Sequence, residues 1–116
     1  MIFENSQDTW EIDLPMHLTQ LGLKISGGAD SAIVCYMIAK YVTEERPDIT
    51  IHPITAVAST KPFQQIFSNK VLRKVEEMTG IKFATHQFRT IDSSTVENYI
   101  SQQADLVEDV YQHYAL

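Results

Sequence analysis

With 116 residues, 44% of them apolar and 21% charged, the chain has the size and composition of one small globular domain spanning residues 1–116. A net charge of −6, from 15 acidic and 9 basic residues, disfavours nucleic acid, whose phosphates call for clustered lysine and arginine. No apolar run reaches the ~18 residues of a membrane span, and the start, Met1-Ile2-Phe3-Glu4-Asn5, lacks the basic flank and apolar stretch of a secretory signal.

A single cysteine, Cys35, cannot close an internal disulfide and suits a reducing compartment, so a cytoplasmic location is expected. The densest basic cluster, Lys70 to Lys74, runs straight into Glu76 and Glu77 and reads as a solvated helix face. A small-molecule ligand is the expected partner. No repeat or Pro/Gly-rich linker divides the chain.

Near the N-terminus, Trp10 to Leu14 alternates like an edge strand, while Met16 to Leu21 fits a helical turn as well. The first clear unit begins at Gly22-Leu23-Lys24-Ile25, a short strand entering Ser26-Gly27-Gly28. A helix follows from about Asp30 to Val42, apolar nearly all round from Ala32 to Ala39, a pattern that predicts burial on more than one side. Pro47-Asp48 breaks it.

The second unit opens with a β-branched run, Ile49 to Val57, in which Pro53 is expected to forfeit one ladder bond. Ala58 to Lys61 forms a turn and Pro62 fits the first helical position. Phe63, Ile66, Phe67, Val71, Val75 and Met78 then recur at helical spacing and predict the buried face, with Gly80 as the C-cap. The third unit starts with Ile81 to Phe88, which alternates as a half-buried strand. Ser94-Thr95-Val96-Glu97 reads as a capping box, and Val96, Tyr99, Ile100, Val107, Val110, Tyr111 and Tyr114 mark one face of a last helix. Strands alternating with helices predict an α/β fold, a parallel sheet joined by right-handed crossovers.

Ligands of such sheets bind beyond the carboxyl ends of the strands. Ser26 to Ser31 lies at one such end and leads into a helix N-terminus, where free N–H groups and the helix dipole favour phosphate. Gly27 and Gly28 let the main chain curl around an anion, and the hydroxyls of Ser26 and Ser31 add donors. A carboxylate at Asp30 repels phosphate unless Mg²⁺ bridges the two, which makes Asp30 the candidate metal ligand. Two rival loops are excluded. Counted from Gly22, the lysine position of a Walker A loop holds Gly28, and the dinucleotide pattern Gly-x-Gly-x-x-Gly is absent.

A hydrophobic strand, the segment SGGADS and an apolar helix together resemble the PP-loop ATP pyrophosphatase family, whose fold is Rossmann-like, of the adenine nucleotide alpha hydrolase type. The order of units agrees from about Leu23 to Phe88. GMP, NAD and asparagine synthetases share the motif. The resemblance implies binding of ATP with Mg²⁺ and cleavage between the α and β phosphates to adenylate a small-molecule acceptor. Ser26, Gly27, Gly28 and Ser31 would cradle pyrophosphate, Asp30 would hold Mg²⁺, and Ile25 and Val57 would line the adenine pocket. The catalytic residues are not named by the motif.

A non-catalytic nucleotide-binding module is the alternative reading. A sulfonucleotide reductase-like protein is another, although that branch usually has lysine where this chain has Ala29 and a reducing cysteine near the C-terminus. Relatives place two further strands beyond the first, so the resemblance implies that the first strand is an edge here, to be covered by Trp10 to Leu14, a second subunit or a further C-terminal half.

Other candidates have plainer roles. Cys35 reads as core packing; His17, His52, His86 and His113 are scattered without metal-ligand spacing. His86 and Arg89 are expected at the ligand-binding end of the third strand, and Lys61 is read as a surface lysine within reach of the phosphates.

Overall fold

The computed structural model describes residues 1–91. In chain order these form β1 (Ile2–Glu4), β2 (Thr9–Glu11), β3 (Gln20–Lys24), α1 (Ala29–Glu45), β4 (Thr50–Ala58), α2 (Gln64–Thr79) and β5 (Gln87–Ile91). Strands β3, β4 and β5 make a parallel sheet in that order, with β4 central. The fold is therefore mixed α/β with a parallel sheet, as the alternation of units predicts. The predicted capping box and last helix lie outside the described residues. Among the described residues, no helix is long and apolar enough to cross a membrane.

Both helices cover one face of the sheet. Cys35, Ala39 and Val42 of α1 meet Leu72 and Val75 of α2 over Leu23, Ile25, Ile49 and Ile51. β4 is buried along nearly all its length, which explains its β-branched run. Pro53 forfeits nothing to β3. Ile25 donates its N–H to the Ile54 carbonyl at 2.8 Å and Thr50 donates to Thr19, so the even-numbered residues of β4 bond toward β3. Pro53 therefore faces the β5 side, where pairing starts only at Ile54 opposite Gln87.

Several boundaries and faces differ from the sequence reading. Thr9–Glu11 is a strand, but it pairs antiparallel with Ile2–Glu4 as a separate hairpin and does not extend the parallel sheet. Residues 81–86 are not a strand: Ile81 and Phe83 pack against the core, and a single ladder-like bond joins Ala84 N–H to the Ile51 carbonyl, 3.0 Å away. Their alternation thus reflects packing rather than pairing. Two turns, Lys61 N–H to Ala58 and Gln64 N–H to Lys61, occupy the stretch before α2, so Pro62 precedes the helix.

The largest correction concerns α2. Phe63, Ile66, Phe67 and Met78 are 49%, 60%, 47% and 57% exposed, and the buried stripe is Ser68, Leu72 and Val75. Small Ser68 sits inward, where Gly27 lies close to Phe67 Cβ and the Ser68 nitrogen, and the larger residues lie outward. In α1, likewise, Ile33 and Val34 are exposed, whereas Cys35, Ala39, Tyr41 and Val42 are buried. Gly80 does cap α2, at φ 79°, with its N–H on the Glu76 carbonyl.

Residues 12–18 form a strap across the C-terminal end of α1. The Arg46 guanidinium donates to the carbonyls of Leu14, Pro15, Met16 and Leu18 and to both carboxylate oxygens of Asp48. The Leu14 N–H completes the seam by donating to the Tyr41 hydroxyl at 3.1 Å.

Candidate functional site

β3 ends at Lys24, four residues short of the β4 terminus at Ala58 in the shared register, so the loop from Ser26 lies on a step beside the upper half of β4. Gly27 makes the turn at φ 89°, a left-handed conformation that side-chain-bearing residues resist. A Cβ there would lie 2.8 Å from Phe67 Cβ and 3.0 Å from the Ser68 nitrogen, so the loop rests directly on α2. Gly28 is the N-cap of α1 in extended backbone, at φ −83°, with no side chain to cap the helix. The first-turn N–H groups of α1 thus receive no side-chain cap.

Two serines shape the loop from within. Ser26 donates its N–H to Ser31 Oγ at 3.2 Å, the two hydroxyls are 3.0 Å apart, and the Gly28 N–H donates to Ser26 Oγ. Ser31 Oγ also reaches the Gly28 carbonyl at 3.3 Å. Asp30 is exposed in the first turn of α1. The structure thus brings Ser26, Gly27, Gly28, Asp30 and Ser31 together in one exposed turn. Ile25 and Val57 are core side chains, 1% and 5% exposed, beneath that turn and near the end of β4.

The remaining candidates lie elsewhere. Cys35 is fully buried in α1, and burial pushes its thiol up to about 11, which leaves it protonated and unreactive at neutral pH. Lys61 and His17 are exposed, and Arg89 lies within β5, opposite Ala56. His52 is buried in β4 with its Nε2 on Gln20 Oε1. Among the described residues, no three His, Cys, Asp or Glu side chains cluster as a metal site.

His86 is not at the carboxyl end of the third strand, as its sequence position suggests. It immediately precedes β5, because that strand starts later than the alternation implies. Its Nε2 lies 2.6 Å from Thr55 Oγ1, and its Nδ1 lies 3.4 Å from Asn69 Oδ1 on α2. Thr55, fully buried, donates its hydroxyl proton to the Ile25 carbonyl at 2.8 Å. With that proton committed, Thr55 can only accept from His86, so Nε2 carries the imidazole hydrogen. Burial lowers the His86 pKa to about 4, which keeps the ring neutral at pH 7. Neutral Nδ1 is then an acceptor, so it bonds Asn69 only when that amide is turned to present its N–H in place of Oδ1.

Sequence reasoning missed Thr55, Asn69 and Ser68. The available signal for Thr55 was a hydroxyl among the apolar odd-numbered, helix-facing positions of β4, Ile51, Pro53 and Val57. Comparison with protein-family models, curated proteins and solved structures finds no match to this chain.

Proposed function

We propose that the Ser26–Ser31 turn binds the pyrophosphate portion of ATP with Mg²⁺, in a domain that adenylates a small-molecule acceptor and releases pyrophosphate. The observation that carries this reading is the join of β3 to α1: a glycine in left-handed backbone followed by a glycine N-cap, leaving the start of α1 without a side-chain cap. An anion with several oxygens would complete the helix terminus that the sequence leaves open, aided by the dipole of a 17-residue helix. The Ser26 and Ser31 hydroxyls, now bonded to each other, would turn toward phosphate oxygens. Exposed Asp30 would hold Mg²⁺ against the same oxygens.

Ile25 and Val57 would serve adenine as the apolar floor beneath the step, since both are core side chains. The base edge itself would meet the backbone of β4 beyond Ile54, where β3 no longer pairs with it. In such chemistry the protein's contribution is positioning and stabilisation of charge on the leaving pyrophosphate. A reductase role is disfavoured because the lone cysteine is sealed inside α1.

Titration calorimetry with ATP and GTP, each with and without Mg²⁺, tests the proposal. Tighter binding of ATP than GTP, strengthened by Mg²⁺, is expected. Equal affinity for the two bases would remove the adenine pocket, and absence of nucleotide binding would falsify the reading. A screen for pyrophosphate release with carboxylate and purine acceptors separates an adenylating enzyme from a binding module, which would hold ATP without turnover.

A further inference from the structure

The polar chain Asn69–His86–Thr55 ends on the carbonyl of Ile25, the residue immediately before the glycine turn. It crosses the molecule from α2, through the segment preceding β5, to the middle of β4 and the end of β3. Thr55 is 0% exposed, so its two bonds form away from competing water. Phe88 holds the His86 ring in place, with centroids 4.0 Å apart and planes tilted by 39°. On the other side of the turn, Gly27 rests on Phe67 and Ser68, the two residues that precede Asn69. The turn is therefore held from below through Ile25 and from the side through α2, and Asn69 lies beside both supports.

We propose that Thr55 and His86 are positioning residues for the Ser26–Ser31 turn, fixing its geometry and hence its affinity for phosphate without touching the ligand. The effect on affinity rests on the nucleotide reading above; the effect on loop geometry does not. The direction of the bonds gives the mechanism. His86 Nε2–H donates to Thr55, which frees the Thr55 proton for Ile25 and locks that carbonyl inward. Breaking either bond lets the Ile25–Ser26 peptide rotate, and a turn that samples several conformers binds an anion in proportion to the fraction that fits. Both bonds act in series, so losing either should have much the same effect as losing both.

The test pairs amide hydrogen exchange of Ser26 to Gly28 in the unliganded chain with calorimetry using Mg·ATP and inorganic pyrophosphate. Thr55→Val and His86→Leu are each expected to speed exchange and weaken both ligands about tenfold, the size of one buried hydrogen bond. Thr55→Ser keeps the hydroxyl and His86→Gln keeps a donor, and both should return exchange and affinity to within about threefold of wild type, a rescue that volume alone would not give. The double variant Thr55→Val/His86→Leu should be no worse than the weaker single variant. Unchanged loop exchange in Thr55→Val and His86→Leu overturns the inference, as does faster exchange with unchanged affinity. If Thr55→Val does not fold, His86→Leu against His86→Gln decides alone. A wild-type chain that binds neither ligand overturns the nucleotide reading and the affinity half of this inference together, while the exchange arm still decides whether the polar chain holds the loop.

Discussion

Gly27 and Gly28 are adjacent and chemically identical, yet the fold asks different things of them. Gly27 combines φ 89° with a hypothetical Cβ only 2.8 Å from Phe67 Cβ, so Gly27→Ala is expected to cost about 2–4 kcal/mol, the sum of left-handed strain and a forced shift of α2. Gly28 has φ −83° and an ordinary 3.4 Å approach to Ser26 Oγ, so Gly28→Ala should change stability by less than ~1 kcal/mol. Urea denaturation of the two variants measures the difference, and similar losses would contradict this division of roles. Gly28 is accordingly the position at which to probe the proposed ligand: a methyl group there would intrude on a bound anion without disturbing the packing. Asp30→Asn separates metal from phosphate in the same way. The carboxylate lies in the first turn of α1, where the dipole favours it by only ~0.3–1 kcal/mol, so the variant should stay folded and lose Mg²⁺-dependent ATP affinity. Tighter ATP binding in Mg²⁺ would instead mark Asp30 as a simple repulsive charge. His86 makes a separate pH prediction. Its folded pKa is about 4 against 6.5 for a free imidazole, so the unfolded chain binds the extra proton first. The stability this provides is complete above pH 6.5, declines as pH falls from 6.5 to 4, and then levels off. Melting temperatures over that range should drop more steeply in wild type than in His86→Gln, and parallel profiles would refute the assignment.

At the level of elements, the order of strands and helices from β3 to α2 was readable because each boundary has a local cause. A β-branched run makes β4, glycines punctuate the start of α1 and the end of α2, and Pro47-Asp48 closes the first unit. The buried face of α2 was not readable, since an apolar count favours Phe63, Ile66 and Phe67 whereas the residue buried beside Gly27 is Ser68. That contact spans about forty residues and leaves no periodic trace. The loop residues of the candidate site were legible for the opposite reason: their spacing is local and their types are unusual. Thr55 was hidden, because threonine in a strand is unremarkable until its partner on another element is known. The N-terminal strap has the same non-local character. Arg46 gathers four carbonyls from residues 14–18, and Arg46→Met strips them of donors while leaving the aliphatic stem. A loss of stability is expected, with faster amide exchange concentrated in residues 12–19. Exchange that rises evenly over the whole chain would show that the strap unfolds only with the core.

At the scale of the described residues together, the apolar surface left uncovered by the two helices is where copies of the chain are expected to meet. Ile33 and Met78 line a groove of about 420 Å³ between α1 and α2, floored by Tyr36, Val71 and Val75, while Phe63, Ile66 and Phe67 are exposed at the start of α2. Together these side chains present on the order of 500 Å² of apolar surface, less than the ~800 Å² per partner of a stable interface. The other candidate contact is the β3 edge, whose only strand partner among the described residues is β4. That edge is five residues long and is flanked by Gln20 and Lys24, and a short strand ending in lysine is a poor template for pairing. The helix surface is therefore expected to dominate, giving weak, concentration-dependent association. Net charge opposes it, since each copy carries −6, and added salt should strengthen association by screening that repulsion over distances beyond ~8–10 Å. Ile33→Glu combined with Met78→Glu should abolish it while shifting stability by less than ~1 kcal/mol, because both side chains are more than half exposed. Sedimentation at rising protein concentration, in low and high salt, provides the measurement. Association that persists in the double variant would assign the contact to the β3 edge, and association that weakens with salt would show that charge pairing, not apolar burial, holds the copies together.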